Sequence, residues 1–126
     1  MDIRSQLRGA WRVDRVIIAG VEEPKEEGDE HFLWINDDAI ITGNADAAWD
    51  MPYVLLESGS PAKIDITRND RWEPWTEKAI VKVEGDSLQL CSAESGESDR
   101  PDQFESSTAN GWTLYLGSRC NEPVPT

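Results

Sequence analysis

A chain with a single histidine has few routes to acid–base or metal chemistry. His31 is that histidine. No zinc-spaced cysteine pair accompanies it, and a catalytic triad or a His-rich metal site would have to be built without a second imidazole. At the start of an apolar segment, His31 is expected to be a surface residue. Carboxylates are plentiful, 25 Asp and Glu against 12 Lys and Arg, but none follows the spacing of a calcium-binding loop. Gly-rich phosphate loops and dinucleotide fingerprints are missing as well. No residue set supplies nucleophile, base and oxyanion donor together, so the sequence predicts no enzyme, no metal and no cofactor.

What the chain offers instead is aromatic surface. Six Trp occur in 126 residues, and three of them, Trp49, Trp72 and Trp75, fall in segments that read as loops, with Phe104 in a later one. Aromatic walls with a few polar groups are what a small-molecule pocket requires. The competing expectation is that these rings fold inward, because a narrow barrel is readily filled by its own side chains.

The formal charge of −13 excludes a general nucleic-acid binder, which needs a basic face to release counterions, and disfavours an anionic membrane surface. The acids are concentrated in Glu22 to Glu30, with six acids and one base, and in Glu94 to Glu105, with five acids and Arg100. Such stretches read as solvated loops, or as a face for a basic protein partner. No segment has the roughly 18 apolar residues of a membrane helix. The charged start, Met1 to Gln6, lacks the apolar region of an export signal, which makes the cytoplasm the expected compartment.

The elements that must position these residues read as strands. Trp11 to Ile18 is rich in strand formers, with Trp11, Val13, Arg15 and Ile17 expected on one face. His31 to Ile35 and Ala39 to Gly43 form a hairpin across Asn36-Asp37-Asp38. Pro52 to Leu56, Lys63 to Thr67, Lys78 to Val83, Ser87 to Cys91 and Trp112 to Leu116 follow, the third and fourth of these segments joined at Gly85. Residues 2 to 8 read as a short helical turn. Long connections alternate with tight ones, so an up-and-down meander collects its long loops on one rim. The expected fold is therefore all-β: an eight-stranded antiparallel up-and-down barrel, closed at one end by the N-terminal turn, spanning residues 1–120 as one domain. Residues 121–126 are expected to fray.

Closure brings distant residues together. The first strand begins and the last ends at the short-turn rim, so Gly9, Trp11 and Arg119 should form a structural closed end, with the Arg119 guanidinium over the Trp11 indole. The mouth is then the other rim, where Trp49, Trp72, Trp75 and Phe104 would converge on a ligand. Arg100, Pro101 and Phe104 read equally as a loop clasp, Arg100 tied to a carboxylate. Cys91 and Cys120 fall near opposite ends of neighbouring strands, roughly 20 Å apart at 3.3 Å per residue, which predicts two free thiols and no disulfide.

Several segments taken in order resemble a known family. These are Leu7-Arg8-Gly9-Ala10-Trp11, Lys63-Ile64-Asp65-Ile66-Thr67, Gly85-Asp86-Ser87-Leu88-Gln89-Leu90-Cys91, Arg100-Pro101-Asp102-Gln103-Phe104 and the late Arg119. Together they are similar to the short lipocalin-like domains that occur as many paralogues in planctomycete bacteria, a group without an assigned biochemical function. That family usually has Gly-Ile-Tyr where this chain has Ala79-Ile80-Val81. Gly-x-Trp with a late Arg also resembles the true lipocalins. The resemblance implies a lipocalin-like barrel with a ligand-carrying ancestor, and names no ligand. Two functions are expected from these features. One is a binding module for a small apolar or amphipathic ligand at the barrel mouth. The other is an acidic protein-interaction module with a side-chain-filled barrel.

Overall fold

Strands whose apolar residues alternate with polar ones need a second surface to cover their apolar face, and a sheet rolled on itself provides it. The computed structural model describes residues 3–24, 30–44, 48–57, 62–68, 75–93 and 100–123. One helix, α1 (Ile3–Leu7), precedes β1 (Gly9–Ile18), β2 (Val21–Glu22), β3 (Phe32–Ile35), β4 (Ala39–Gly43), β5 (Ala48–Glu57), β6 (Ala62–Arg68), β7 (Trp75–Glu84), β8 (Ser87–Ala93) and β9 (Thr113–Cys120). β1 pairs with β3, each later strand pairs with the next, and β9 returns antiparallel to β1. The result is a closed eight-stranded antiparallel barrel with one short helix. β2 is an additional two-residue strand that pairs only with the end of β1.

The interior is packed from one end upward. Leu7, Trp11, Val13, Leu33, Ile35, Ile40, Met51, Tyr53, Ile64, Ile66, Val81, Leu88 and Leu90 belong to one buried cluster. Near α1 a void of about 10 Å³ lies between Leu7, Ile35, Ile40, Ile64, Val81, Leu88 and Leu90, no more than a single water occupies. The Trp11 indole, fully buried, donates to the Leu7 carbonyl at 2.8 Å. The last turn of α1 thus satisfies the one polar atom of the largest core side chain. Arg119 covers the ring from outside, its guanidinium carbon 4.2 Å from the ring centroid, and donates to the carbonyls of Gln6 and Arg8. Gly9 makes room for it: its φ of 132° suits glycine, and a Cβ there would stand 2.9 Å from the guanidinium.

The face expected for β1 is corrected at its midpoint. Val13 pairs with Gly117 and Arg15 with Leu116, so Asp14 is an extra residue and the strand bulges. A bulge shifts the alternation by one. Trp11, Val13 and Val16 consequently pack with the interior, while Arg15 is exposed and Ile17 joins an outer cluster. The strands approach closely here, since a Cβ on Gly117 would lie 2.8 Å from the Arg12 carbonyl oxygen.

Two further expectations change. Trp49 and Trp75 lie in strands and not in loops, because β5 and β7 extend beyond their apolar runs through ladder pairs such as Thr42 with Trp49 and Arg68 with Trp75. Pro52 is therefore inside β5. It is tolerated because the Tyr53 N–H donates toward β4, to the Asp38 carbonyl, so the Pro52 nitrogen faces β6, and the β5–β6 ladder starts only at Tyr53. The segment expected to fray is held at its start: the Trp34 indole donates to the Glu122 carbonyl at 2.9 Å, while residues 124–126 lie outside the described part. No described helix is long and apolar enough to cross a membrane.

Candidate functional site

The upper end of the barrel differs in chemistry from the packed end. The interior positions of each strand recur every second residue, and the last such position before the rim is often polar. On β4 the sequence runs Ile40 then Thr42, on β7 Val81, Ala79 then Glu77, on β8 Leu88, Leu90 then Ser92. Just ahead of β3, His31 continues the set of Leu33 and Ile35. The polar members of these series, His31, Thr42, Glu77 and Ser92, with Leu33, Trp49, Met51, Ile66, Leu90 and Tyr115, line a pocket of about 60 Å³ inside the mouth.

Most of its polar groups are withdrawn from solvent. Glu77 is 3% exposed and Thr42 4%. The His31 Nε2 atom lies 2.6 Å from the Thr42 hydroxyl. Ser92, 1% exposed, is the exception in satisfaction: among the described residues its hydroxyl is buried with no hydrogen-bond partner. Leaving a buried hydroxyl unpaired costs about 1–3 kcal/mol, and here the hydroxyl borders a space large enough for something to pair with it.

Outside this pocket lies a wider cleft of about 480 Å³, bordered by Val13 to Val16, Ile18, Glu22 to Pro24, His31 and Tyr115. The bulge and the short β1–β3 ladder create it. Pairing of β1 with β3 stops at Arg12 and Phe32, after which β1 continues along β9 and β2 instead. Arg15, on the cleft wall, is ion-paired with Glu22. His31 and Tyr115 border both spaces, so the cleft leads toward the pocket.

The residues expected at the mouth are divided by the structure. Trp49 lines the pocket while remaining 56% exposed. Trp75, 37% exposed at the start of β7, is not among the pocket's walls, and Trp72 lies outside the described residues. Phe104 is moved to the outer surface of the wall, where it packs with Ile80, Cys91 and Leu114 beside Ile17, Trp112 and Leu116. The reason is its neighbour Arg100, which donates to the carbonyls of Ile64 and Ala79 at 2.9 Å each and to Asp65 at 2.5 Å. With Pro101 buried, this clasp holds the segment against β6 and β7 from outside. His31, expected at the surface, is half-buried in the mouth. Both cysteines are free, and burial pushes the Cys91 thiol pKa up, only partly offset by its hydrogen bond to the Glu105 carbonyl. Residues 25–29 and 94–99, the larger part of the acidic stretches, lie outside the described residues.

Sequence reading passed over Thr42, Glu77, Ser92 and Tyr115. The signal was present: extending each strand's inward alternation by one further step toward the rim reaches the first three. Among the described residues no group of three or more His, Cys, Asp or Glu could hold a metal ion. Comparison of the chain with family models, with curated proteins and with solved structures finds no match to any of them.

Proposed function

We propose that this chain is a lipocalin-like binding module, not an enzyme, that takes a small amphipathic molecule at the open rim of its barrel. The ligand's polar end enters the inner pocket and its apolar body lies in the cleft along Val13, Val16, Ile18 and Tyr115. The observation that carries this is the buried Ser92 hydroxyl, without a hydrogen-bond partner among the described residues, beside a pocket at the end of the barrel opposite the packed one. Apolar walls with a few convergent polar groups are the common form of a small-molecule site. The resemblance to the planctomycete lipocalin-like domains agrees with it.

The test is titration with the neutral apolar fluorophore N-phenyl-1-naphthylamine. Saturable enhancement is expected, weakened about tenfold in Trp49→Ala, a loss of about 1.4 kcal/mol. Trp49 is half-exposed, so the variant should fold. No saturable enhancement with the unaltered chain would sink the proposal.

A further inference from the structure

We infer that the polar end of the ligand is an uncharged group that can both donate and accept a hydrogen bond, a hydroxyl. This rests on the binding reading above and adds the chemical class of the head. The inner pocket asks for one hydrogen-bonding partner, not for a counter-charge. Ser92, 1% exposed on its wall, carries a hydroxyl with no hydrogen-bond partner among the described residues. The other polar walls are engaged already. The His31 ring nitrogen and the Thr42 hydroxyl lie 2.6 Å apart, and Glu77 and Tyr115 each have an interaction of their own. A serine hydroxyl offers one donor and two lone pairs. A hydroxyl head meets it in either sense, giving its proton or taking one, so it fits whichever way the serine proton is turned.

Charge favours the same choice. A charged head would leave its water for a wall whose described polar groups, Ser92 apart, are engaged, and burying an ion without a partner costs far more than burying a neutral group. An anion finds no Lys or Arg among the described residues of the lining, and the chain as a whole repels it at −13. A cation finds Glu77, but that carboxylate is buried with an interaction of its own and is not a spare counter-charge. A hydroxyl pays the smallest desolvation cost and recovers it from Ser92. The pocket of about 60 Å³ accommodates such a head with the first carbons of its chain and leaves the rest to the cleft, where Val13, Val16 and Ile18 supply apolar surface.

The experiment compares three probes with the same alkyl chain by calorimetry: hexanol, hexanoate and hexylammonium. Hexanol is expected to bind once per chain and at least about tenfold tighter than either ion, since an ion in the pocket carries an uncompensated desolvation cost. Ser92→Ala should weaken hexanol about tenfold, the worth of one hydrogen bond. The same substitution should leave the urea midpoint of the empty protein unchanged or raised, because it removes a buried hydroxyl that nothing satisfies. Unchanged hexanol affinity in Ser92→Ala overturns the assignment of the head to that side chain. If Ser92→Ala fails to fold, the comparison of the three probes on the unaltered chain still decides. Binding of either ion as tight as hexanol overturns the uncharged head and leaves the binding module standing. Failure of all three probes while N-phenyl-1-naphthylamine binds refutes the head group alone; failure of that probe as well refutes the binding module too.

Discussion

Trp11 shows how much one side chain can organise. Its ring is fully buried, its nitrogen is satisfied by Leu7, and a guanidinium lies over its outer face. Trp11→Ala removes the ring and strands the Arg119 contact, so unfolding in urea should show a loss of about 3–5 kcal/mol. Little loss would mean that the closed end is not a keystone. Cys91 offers a second check. It is buried and its thiol pKa is raised, chiefly by burial, so in the native protein a thiol reagent should modify Cys120 and reach Cys91 only on unfolding. Burial likewise raises the Tyr53 phenol pKa. A folded pKa above the unfolded one adds stability that is full below the unfolded value and lost as pH rises through the folded one. Urea midpoints should therefore be flat near neutrality and fall once the pH passes the ordinary thiol and phenol values, roughly 8.5 and 10; a fall on the acid side alone would contradict both assignments.

At the scale of elements, the hairpin of β1 and β2 carries an identifiable strain. Ile18 pairs with Val21 across Ala19 and Gly20, whose φ values of 49° and 83° are both positive. Two-residue hairpins of this kind favour Asn-Gly. Ala at the first position costs about 1–2 kcal/mol of local strain, tolerated because the turn is docked: Ala19 N–H donates to the Trp112 carbonyl and Gly20 N–H to the Ser106 hydroxyl. Ala19→Asn should raise stability by about 0.5–1 kcal/mol, measured by the urea midpoint at unchanged slope. This turn and the Asp14 bulge are also what strand periodicity could not show. Alternation reveals that a segment is a strand and which face is apolar, but a one-residue insertion leaves composition unchanged and flips everything after it. Arg15 and Ile17 exchanged their expected environments for that reason alone.

For the whole molecule, the barrel, its closure and its closed end were legible because they follow from strand count and parity. An even number of antiparallel strands returns the chain to the rim it started from, which places Arg119 on Trp11 without any knowledge of side-chain packing. The mouth was less legible. Trp49 was found by its type and lines the pocket, whereas Phe104, of the same chemical character, was drawn outside by the Arg100 clasp, an interaction between residues 35 positions apart that no local pattern announces. Thr42, Glu77 and Ser92 are small or charged residues whose meaning comes from being on the inward side of their strands near a rim.

The pairing of β1 with β9 has a mechanical consequence. The exposed residues Arg8 and Asn121 precede and follow the paired segments at one end of this seam, which begins at Ala10 with Cys120 and runs toward Ile18 with Thr113. A pulling force applied at those two positions would load the seam one rung at a time, as a zipper opens, and meet the Trp11–Arg119 contact almost at once. The barrel should therefore yield at low force in single-molecule stretching between these positions. Attachment points at Arg8 and Trp112 would instead pull β1 and β9 past each other and load all the rungs together, and should require more force.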